Sequence, residues 1–155
     1  MENYRDVVFL LNLDFQWIEE LLKIVISSSY EAIRRSAPAK IKFRLTRKAL
    51  EKDSLGKLIS RYEQVSGNDE LIKKLRNIAN ERNFCAHQSF ILSLEEQKDA
   101  EFLRKETARL HKVRERSRTC VMALQGELNE FVALLDETPN EMVERDAPQS
   151  ARPLP

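Results

Sequence analysis

The long segment of residues 94–137 limits most strongly what this chain can fold into. Its 44 residues include one Gly and no Pro, the two residues that most readily interrupt a helix. Apolar residues recur within it at intervals of three and four, which is the spacing of one helix face. We therefore predict one helical pattern over the segment, opened by a capping box that begins at Ser93. The predicted buried side comprises Val113, Cys120, Val121, Leu124, Leu128, Phe131 and Leu135.

A helix of this length exceeds the usual length in globular proteins. Two explanations are open from the sequence. The helix could break near residues 114–119, where a polar run interrupts the apolar stripe. Alternatively, it could extend beyond the rest of the domain and pack on a second subunit.

The first helix is predicted to begin after Asn3, which is followed at the third helical position by Asp6, as in a capping box. It continues to about Ser27. Residues 30–35 add a turn or two if the helix extends towards Pro38, because proline disfavours helix in the residue before it. Residues 36–46 are interpreted as a basic loop. The predicted buried side comprises Leu10, Leu13, Trp17, Leu21 and Ile24.

Two further helices are predicted between these long ones. Ser54 opens the first of them, and Gly67 ends it as a residue that readily adopts the left-handed conformation. Asn68 caps the next helix. Asn80 either ends that helix or caps another; if it does not interrupt, Arg82 and His87 lie on one unbroken helix. The predicted buried positions are Leu55, Leu58, Ile59 and Tyr62 in one helix and Leu71, Ile72, Leu75, Ile78 and Ala79 in the other.

Composition agrees with a helical fold. Of 155 residues, 42% are hydrophobic and 33% charged, with three Gly and five Pro, and this length suits one domain with its own core. We predict an all-α helical bundle over residues 1–137 with long first and last helices. Three of the last 16 residues are Pro, so residues 138–155 are predicted to be a disordered tail.

Cysteine usage and the first apolar stretch bear on location. Cys85 and Cys120 lack the spacing of a disulfide framework, which is typical of reduced cysteines in intracellular proteins, so we expect a cytoplasmic protein. Cys85 also has too few ligand-type neighbours for a metal site. Residues 7–26 are largely apolar, but six polar or charged residues interrupt them. They therefore predict a buried helix and no membrane anchor.

Charges are segregated along the chain although the net charge is only +1. Residues 34–62 contain ten Lys and Arg against two acids, and residues 101–118 contain seven against three, whereas residues 1–31 and 127–155 carry net charges of −4 and −5. A basic centre fits a polyanion such as RNA, and solvated basic helix faces explain it equally well. The predicted RNA-binding residues are Lys40, Lys42, Arg44, Arg47 and Lys48.

Arg82 and His87 are the residues of most chemical interest. An Arg and a following His with four to six residues between them are expected roughly 0.6 times by chance in a chain of this composition, and Arg104 with His111 forms a second such pair. Requiring Asn directly after the Arg lowers the expectation to roughly 0.03 matches. Only the run Arg82-Asn83-Phe84-Cys85-Ala86-His87 meets that requirement.

The sequence around this run resembles small bacterial HEPN-domain proteins. Those proteins carry an element of the form T/S-L-G-x-L-I upstream of R-N-x-x-A-H-x-x-F. Here the first element is Ser54-Leu55-Gly56-Lys57-Leu58-Ile59, which we call the Ser54 element, and the second spans residues 82–90. The resemblance covers residues 54–92 in detail and the other helices in layout.

The resemblance implies a helical bundle that forms a homodimer. Many members are RNA endonucleases that need no metal or other cofactor and act as toxins or in anti-phage defence. The resemblance therefore implies the same activity here, with an antitoxin or other regulatory protein as a partner. Some members have a Tyr two residues after the His, which a partner nucleotidyltransferase modifies. Ser89 stands at that position here, so the resemblance does not extend to that mode of silencing.

The residue types suit metal-independent RNA cleavage, in which the 2′-hydroxyl loses a proton, the leaving 5′-oxygen gains one and the phosphoryl charge is stabilised. Histidine suits the proton transfers because its unperturbed pKa lies near neutrality, and arginine's planar guanidinium suits phosphate oxygens. The candidate catalytic residues are therefore Arg82, His87 and Asn83. Asn83 either orients the Arg, contacts the backbone or is an ordinary polar residue at a helix start. One His cannot readily be base and acid together, which favours a two-fold dimer that joins two copies.

Other interpretations remain open. The chain could be a HEPN-like module that binds RNA or nucleotides without catalysis. It could instead be a helical interaction protein that docks a partner through Leu124, Leu128 and Phe131. Arg82 could be a surface ion-pair partner of Glu81 or Glu70, and His87 an ordinary packed histidine. Glu19 or Glu20 of the first helix could approach the motif.

Overall fold

The computed structural model of the protein describes residues 3–38, 40, 45–87 and 96–137, without the side chains of His87, Gln97 and Glu137. Every regular element in these ranges is helical, which confirms the all-α class with long first and last helices. The predicted tail, residues 138–155, and the capping box at Ser93 lie outside the described residues. The elements are α1 (Tyr4–Ser36), α2 (Arg47–Leu50), α3 (Leu55–Tyr62), α4 (Asp69–His87), a 3-10 turn (Glu96–Lys98) and α5 (Ala100–Glu137).

Helix α1 begins as predicted and ends later. The Asn3 side chain accepts a hydrogen bond of 3.0 Å from the backbone N–H of Asp6, whose carboxylate accepts one from the N–H of Asn3, so the capping box is confirmed. Helix α1 does not stop near Ser27, because the extension over residues 30–35 that the sequence left open is helical. The helix continues to Ser36 and stops where Ala37, directly before Pro38, is extended, the conformation that proline imposes on its predecessor.

The buried face of α1 was predicted wrongly. Of the five predicted positions only Leu21 is buried, while Leu13 is 38% exposed and Trp17 is 60% exposed. Apolar residues surround the first half of this helix on most sides, so an interval of three or four residues fits two different faces. The face that packs into the core is formed by Val7, Val8, Leu11, Phe15, Ile18, Leu21, Leu22, Val25 and Ile26.

Helices α3 and α4 follow the sequence pattern closely. All four predicted positions of α3 are buried, as are Leu71, Ile72, Leu75 and Ile78 of α4. The side chain of Asn68 accepts a hydrogen bond of 3.1 Å from the N–H of Leu71 and caps α4 as expected. One detail differs: helix α3 already ends at Tyr62, and Gly67 is not left-handed. Asn80 lies inside α4, so of the alternatives left open by the sequence the unbroken helix is found.

Helix α5 starts later than predicted and does not break. Asp99 caps it by accepting hydrogen bonds of 2.9 Å from the N–H groups of Glu101 and Phe102. The break near residues 114–119 is wrong, because the polar side chains there are accommodated. Ser117 is buried and donates to the carbonyl oxygen of Val113 at 3.0 Å, and Arg114 forms an ion pair with α1. Of the predicted stripe, Val113, Cys120 and Leu124 are buried, and Val121, Leu128 and Phe131 pack partly buried against the core. Leu135 is only partly buried.

Helices α1 and α5 lie side by side and run in the same direction. Arg114 pairs with Asp14 at 3.3 Å, and Arg35 donates to the carbonyl oxygen of Leu135 at 2.9 Å. The two members of each pair are 100 residues apart in the sequence, so the two helices keep the same register over about six turns. The core lies between this parallel pair and the two helices α3 and α4.

Helix α4 runs antiparallel to α5. At its beginning, the Tyr62 hydroxyl and the Asn68 amide both donate hydrogen bonds to the carboxylate of Glu127 in α5. Burial raises the pKa of Tyr62, and its hydrogen bond to Glu127 raises the pKa further. Near its end, Glu81 accepts hydrogen bonds from Arg109 and Arg116 of α5. Polar contacts at both ends therefore fix α4 along α5. No helix in the described part of the chain has a stretch long and apolar enough to cross a membrane.

Candidate functional site

Arg82 lies in the last turns of α4 and is partly exposed. Its guanidinium Nη2 is 3.6 Å from the carboxylate Oε1 of Glu19 in α1. The sequence left open whether an acid of α1 approaches the motif, and Glu19 does. The partners considered for Arg82 are engaged elsewhere, since Glu81 pairs with α5 and Glu70 pairs with Lys74 at 2.6 Å.

A cleft of about 440 Å³ separates the beginning of α3 from the second half of α4, and we call it the α3–α4 cleft. It brings together the Ser54 element and the beginning of the Arg82 motif, which are more than 20 residues apart in the sequence. Its inner wall is apolar and its rim is polar and cationic. The lining residues are Ser54, Leu55, Gly56, Ile59, Arg76, Ala79, Asn80, Arg82 and Asn83.

The charges around the cleft favour an anion. Arg76 is exposed and held at 2.6 Å by Glu63, while the longer contact of Arg82 leaves donors of its guanidinium for a ligand. Asp53, the acid just before α3, is occupied: hydrogen bonds from Lys57 and then Arg61 lower its pKa. The first backbone N–H groups of α3 border the cleft, and such groups lack partners within their helix.

His87 is the last residue of α4, and its side chain lies outside the described part of the structure. Because α4 is unbroken, the Cα atoms of Arg82 and His87 are separated by about 140° around the helix and ~7.5 Å along it. Asn83 lines the cleft beside Arg82 and is exposed. The structure therefore brings two of the three candidate catalytic residues into one cleft.

Of the predicted RNA-binding residues, Lys42 and Arg44 lie outside the described residues, and Lys40, Arg47 and Lys48 do not line the cleft. Lys40 and Lys48 are exposed. Arg47, at the start of α2, is 3.3 Å from Glu20, whose pKa is lowered first by the hydrogen bond from Lys23. The adjacent carboxylates Glu19 and Glu20 thus contact Arg82 and Arg47, so two cations flank the same turn of α1.

Phe84 and Arg109 hold the end of α4 against α5. The Arg109 guanidinium carbon lies 4.6 Å from the centre of the partly exposed Phe84 ring, an arrangement typical of cation–π contacts. Hydrogen bonds to Glu106 and Glu81 raise the pKa of Arg109, so it stays charged. These contacts support the turns that carry Arg82.

Sequence patterns missed part of the cleft lining. Asn80 and Arg76 line it one and two turns before Asn83 on the same helix, and neither belongs to a recognisable motif. Their spacing of four and then three residues would have placed them on one face only if α4 had been known to be continuous. The other Arg–His pair, Arg104 and His111, lies on α5 and takes no part in the lining.

Comparison with known proteins gives no family for this chain: no family model, no curated protein and no solved structure matches it significantly. Within the described residues, no group of three or more His, Cys, Asp or Glu side chains is arranged to hold a metal ion.

Proposed function

We propose that this protein is a metal-independent RNA endonuclease of the HEPN type, with an active site shared by two copies of the chain. One observation carries the proposal: Arg82 and Asn83 line the same open cleft as the Ser54 element, so both halves of the sequence resemblance meet at one site. A role as a toxin or an anti-phage defence factor, with an antitoxin as a regulator, belongs to the same proposal.

In this mechanism Arg82 binds the scissile phosphate and stabilises charge that develops on it. Glu19, at 3.6 Å, orients the guanidinium without using all its donors. His87 takes the proton of the 2′-hydroxyl, whose oxygen attacks the phosphorus and forms a 2′,3′-cyclic phosphate. His87 of the second copy protonates the 5′-oxygen as its bond to phosphorus breaks, which releases a 5′-hydroxyl. Asn83 contacts the backbone of the RNA beside Arg82.

An exposed apolar stripe on α1 and α5 supports a second copy as partner. The stripe consists of Phe9, Leu13, Trp17 and Met122; Phe9 is 62% and Met122 is 71% exposed. Trp17 and Met122 also line one groove of about 300 Å³. Together the four side chains expose on the order of 400 Å² of apolar surface, which is the size of the largest and often functional patch of a monomer, and about half of what one partner buries in a stable interface.

Replacing Arg82 by alanine is expected to reduce RNA cleavage in EDTA by about 10²-fold, because the phosphate loses its bidentate donor. Arg82→Lys should recover only part of the rate, since an ammonium keeps the charge but not the planar fork. Arg104→Ala, which changes the other Arg of an Arg–His pair, serves as the matched control and should cleave at the wild-type rate. Equal rates for Arg82→Ala and Arg104→Ala would rule out this role of Arg82.

Trp17→Glu is expected to weaken the dimer by at least about 30-fold, since a large aromatic residue in an interface commonly contributes ~2 kcal/mol or more. Size-exclusion chromatography with light scattering over a concentration series measures the shift to monomer. Val132→Glu is the control, because Val132 is also an exposed apolar residue of α5 but lies outside the stripe. Cleavage per chain should fall with the dimer. A monomeric wild-type protein that cleaves RNA would refute the shared site.

The same stripe favours a second candidate function, that of a helical interaction protein that acts without catalysis. The residues first considered for docking do not suit it, because Leu124 is fully buried and both Leu128 and Phe131 pack against the core. In this case Trp17→Glu abolishes association with a partner while Arg82→Ala has no effect. Induced expression in bacteria separates the candidates: growth arrest that depends on Arg82 supports the ribonuclease.

A further inference from the structure

Gly56 occupies a position where the fold itself does not need glycine. It is the second residue of α3, it has no positive φ, and a Cβ added there would meet no atom within 4 Å. Glycine in a helix costs roughly 0.5–1 kcal/mol relative to alanine. Its effect here is to leave bare backbone in the wall of the α3–α4 cleft, as is found where a ligand approaches the chain closely.

The rest of the cleft offers three kinds of contact in one space. Leu55, Ile59 and Ala79 form an apolar wall beside Gly56. The exposed amides of Asn80 and Asn83 lie on one face of α4, since they are three residues apart. Arg76 and Arg82 add two cations at the rim. An apolar wall, hydrogen-bonding amides and cations match the base, the base edge and the phosphate of a nucleotide.

We propose that the α3–α4 cleft holds one unpaired nucleotide of the RNA substrate. Its base lies against Gly56 and the apolar wall, its phosphate lies at Arg82, and the amide of Asn80 contacts the base edge. A volume of about 440 Å³ accommodates a ligand of this size. An asparagine amide pairs best with adenine, to which it can both donate and accept. The cleft therefore selects adenine beside the cleaved bond, an inference that rests on the proposed ribonuclease function.

Binding of adenosine 5′-monophosphate tests the cleft without requiring cleavage. Calorimetric titration of the wild-type protein should detect the nucleotide, and Gly56→Met should bind it at least tenfold more weakly because the new side chain fills the cleft. Gly126→Met is the matched control, since Gly126 is also an exposed helical glycine with no atom near an added Cβ, but it does not line the cleft. Both variants should unfold at or above the wild-type temperature, because methionine favours helix over glycine.

Three binding results would overturn the inference. The first is equal nucleotide affinity in Gly56→Met and Gly126→Met, and the second is no detectable nucleotide binding by the wild type. The third is inorganic phosphate binding as tightly as the nucleotide, which would show that the cleft is an anion site only.

An RNA cleavage assay separates this inference from the ribonuclease function on which it rests. Nucleotide binding without RNA cleavage supports the cleft and refutes the ribonuclease. Cleavage that Gly56→Met leaves unchanged, with no adenine preference, refutes the cleft and leaves the ribonuclease standing. Loss of an adenine preference in Asn80→Ala supports both.

Discussion

Replacing His87 by alanine is expected to lower RNA cleavage in EDTA by about 10³-fold or more. One general acid or base commonly contributes 10²–10⁴-fold, and in a site shared by two copies the substitution removes both the base and the acid. The loss should appear in the rate of cleavage at saturating RNA, while binding of uncleaved RNA is largely retained because Arg82 is unchanged. Single-turnover cleavage of a labelled RNA measures it.

His111→Ala is the matched control for this experiment, because it removes the only other histidine of the chain from α5 and away from the cleft lining. It should cleave at the wild-type rate. Equal circular dichroism and unfolding temperature would show that His87→Ala keeps its fold. Cleavage that is the same in His87→Ala and wild type, purified identically, would exclude His87 as the catalytic residue.

The sequence predicts α3 and α4 better than α1, and the reason lies in their side chains. In α3 and α4 one apolar stripe faces one polar side, so periodicity alone identifies the buried face. In α1 the outer residues Phe9, Leu13 and Trp17 are as apolar as the inner ones. Only packing against α5 decides which side faces the core, and the side left outside is the one that a partner would cover.

Helix ends were predictable where a side chain caps them, as at Asn3 and Asn68, and less so elsewhere. Gly67 was a false stop because a glycine that can be left-handed need not be. The polar run of α5 was a false break because its partner residues are distant in sequence: Arg114 pairs with Asp14, 100 residues earlier. No local pattern contains that information.

The candidate site, like the helices, was predictable from the sequence only in part. The motif pattern in the sequence predicted that the Ser54 element and Arg82 belong to one site, and the structure places both at one cleft. The sequence alone could not show whether Glu19 or Glu20 approaches Arg82. Adjacent helix positions point about 100° apart, and only the placement of α4 and α2 decides that Glu19 contacts Arg82 and Glu20 contacts Arg47. A site shared by two chains requires a dimer interface, and no local sequence pattern identifies the residues of such an interface.

Asp14→Ala is expected to lower the free energy of unfolding by about 2–3 kcal/mol, somewhat less than the 3–5 kcal/mol seen when a fully buried ion pair loses one partner. The side chains of Asp14 and Arg114 are only 16% and 13% exposed, so the substitution leaves a largely buried guanidinium without its carboxylate. Urea unfolding measures the change. Glu101→Ala, which breaks the exposed pair of Glu101 with Lys105, is the control and should change stability by less than about 0.5 kcal/mol.

The double variant Asp14→Leu with Arg114→Met should regain the wild-type stability or exceed it, because it removes both buried charges together.

Burial raises the pKa of Asp14, and attraction to Arg114 and Arg118 offsets this only in part. The folded protein therefore holds the Asp14 proton more tightly than the unfolded chain does. That contribution to stability is fully present below the unfolded pKa and is lost as the pH rises through the raised folded pKa. Relative to the double variant, wild-type stability should thus decline from about pH 4 upwards. If the difference between the two proteins instead grew in favour of wild type with rising pH, attraction would outweigh desolvation in this pair, and its role would be to strengthen the contact of α1 with α5.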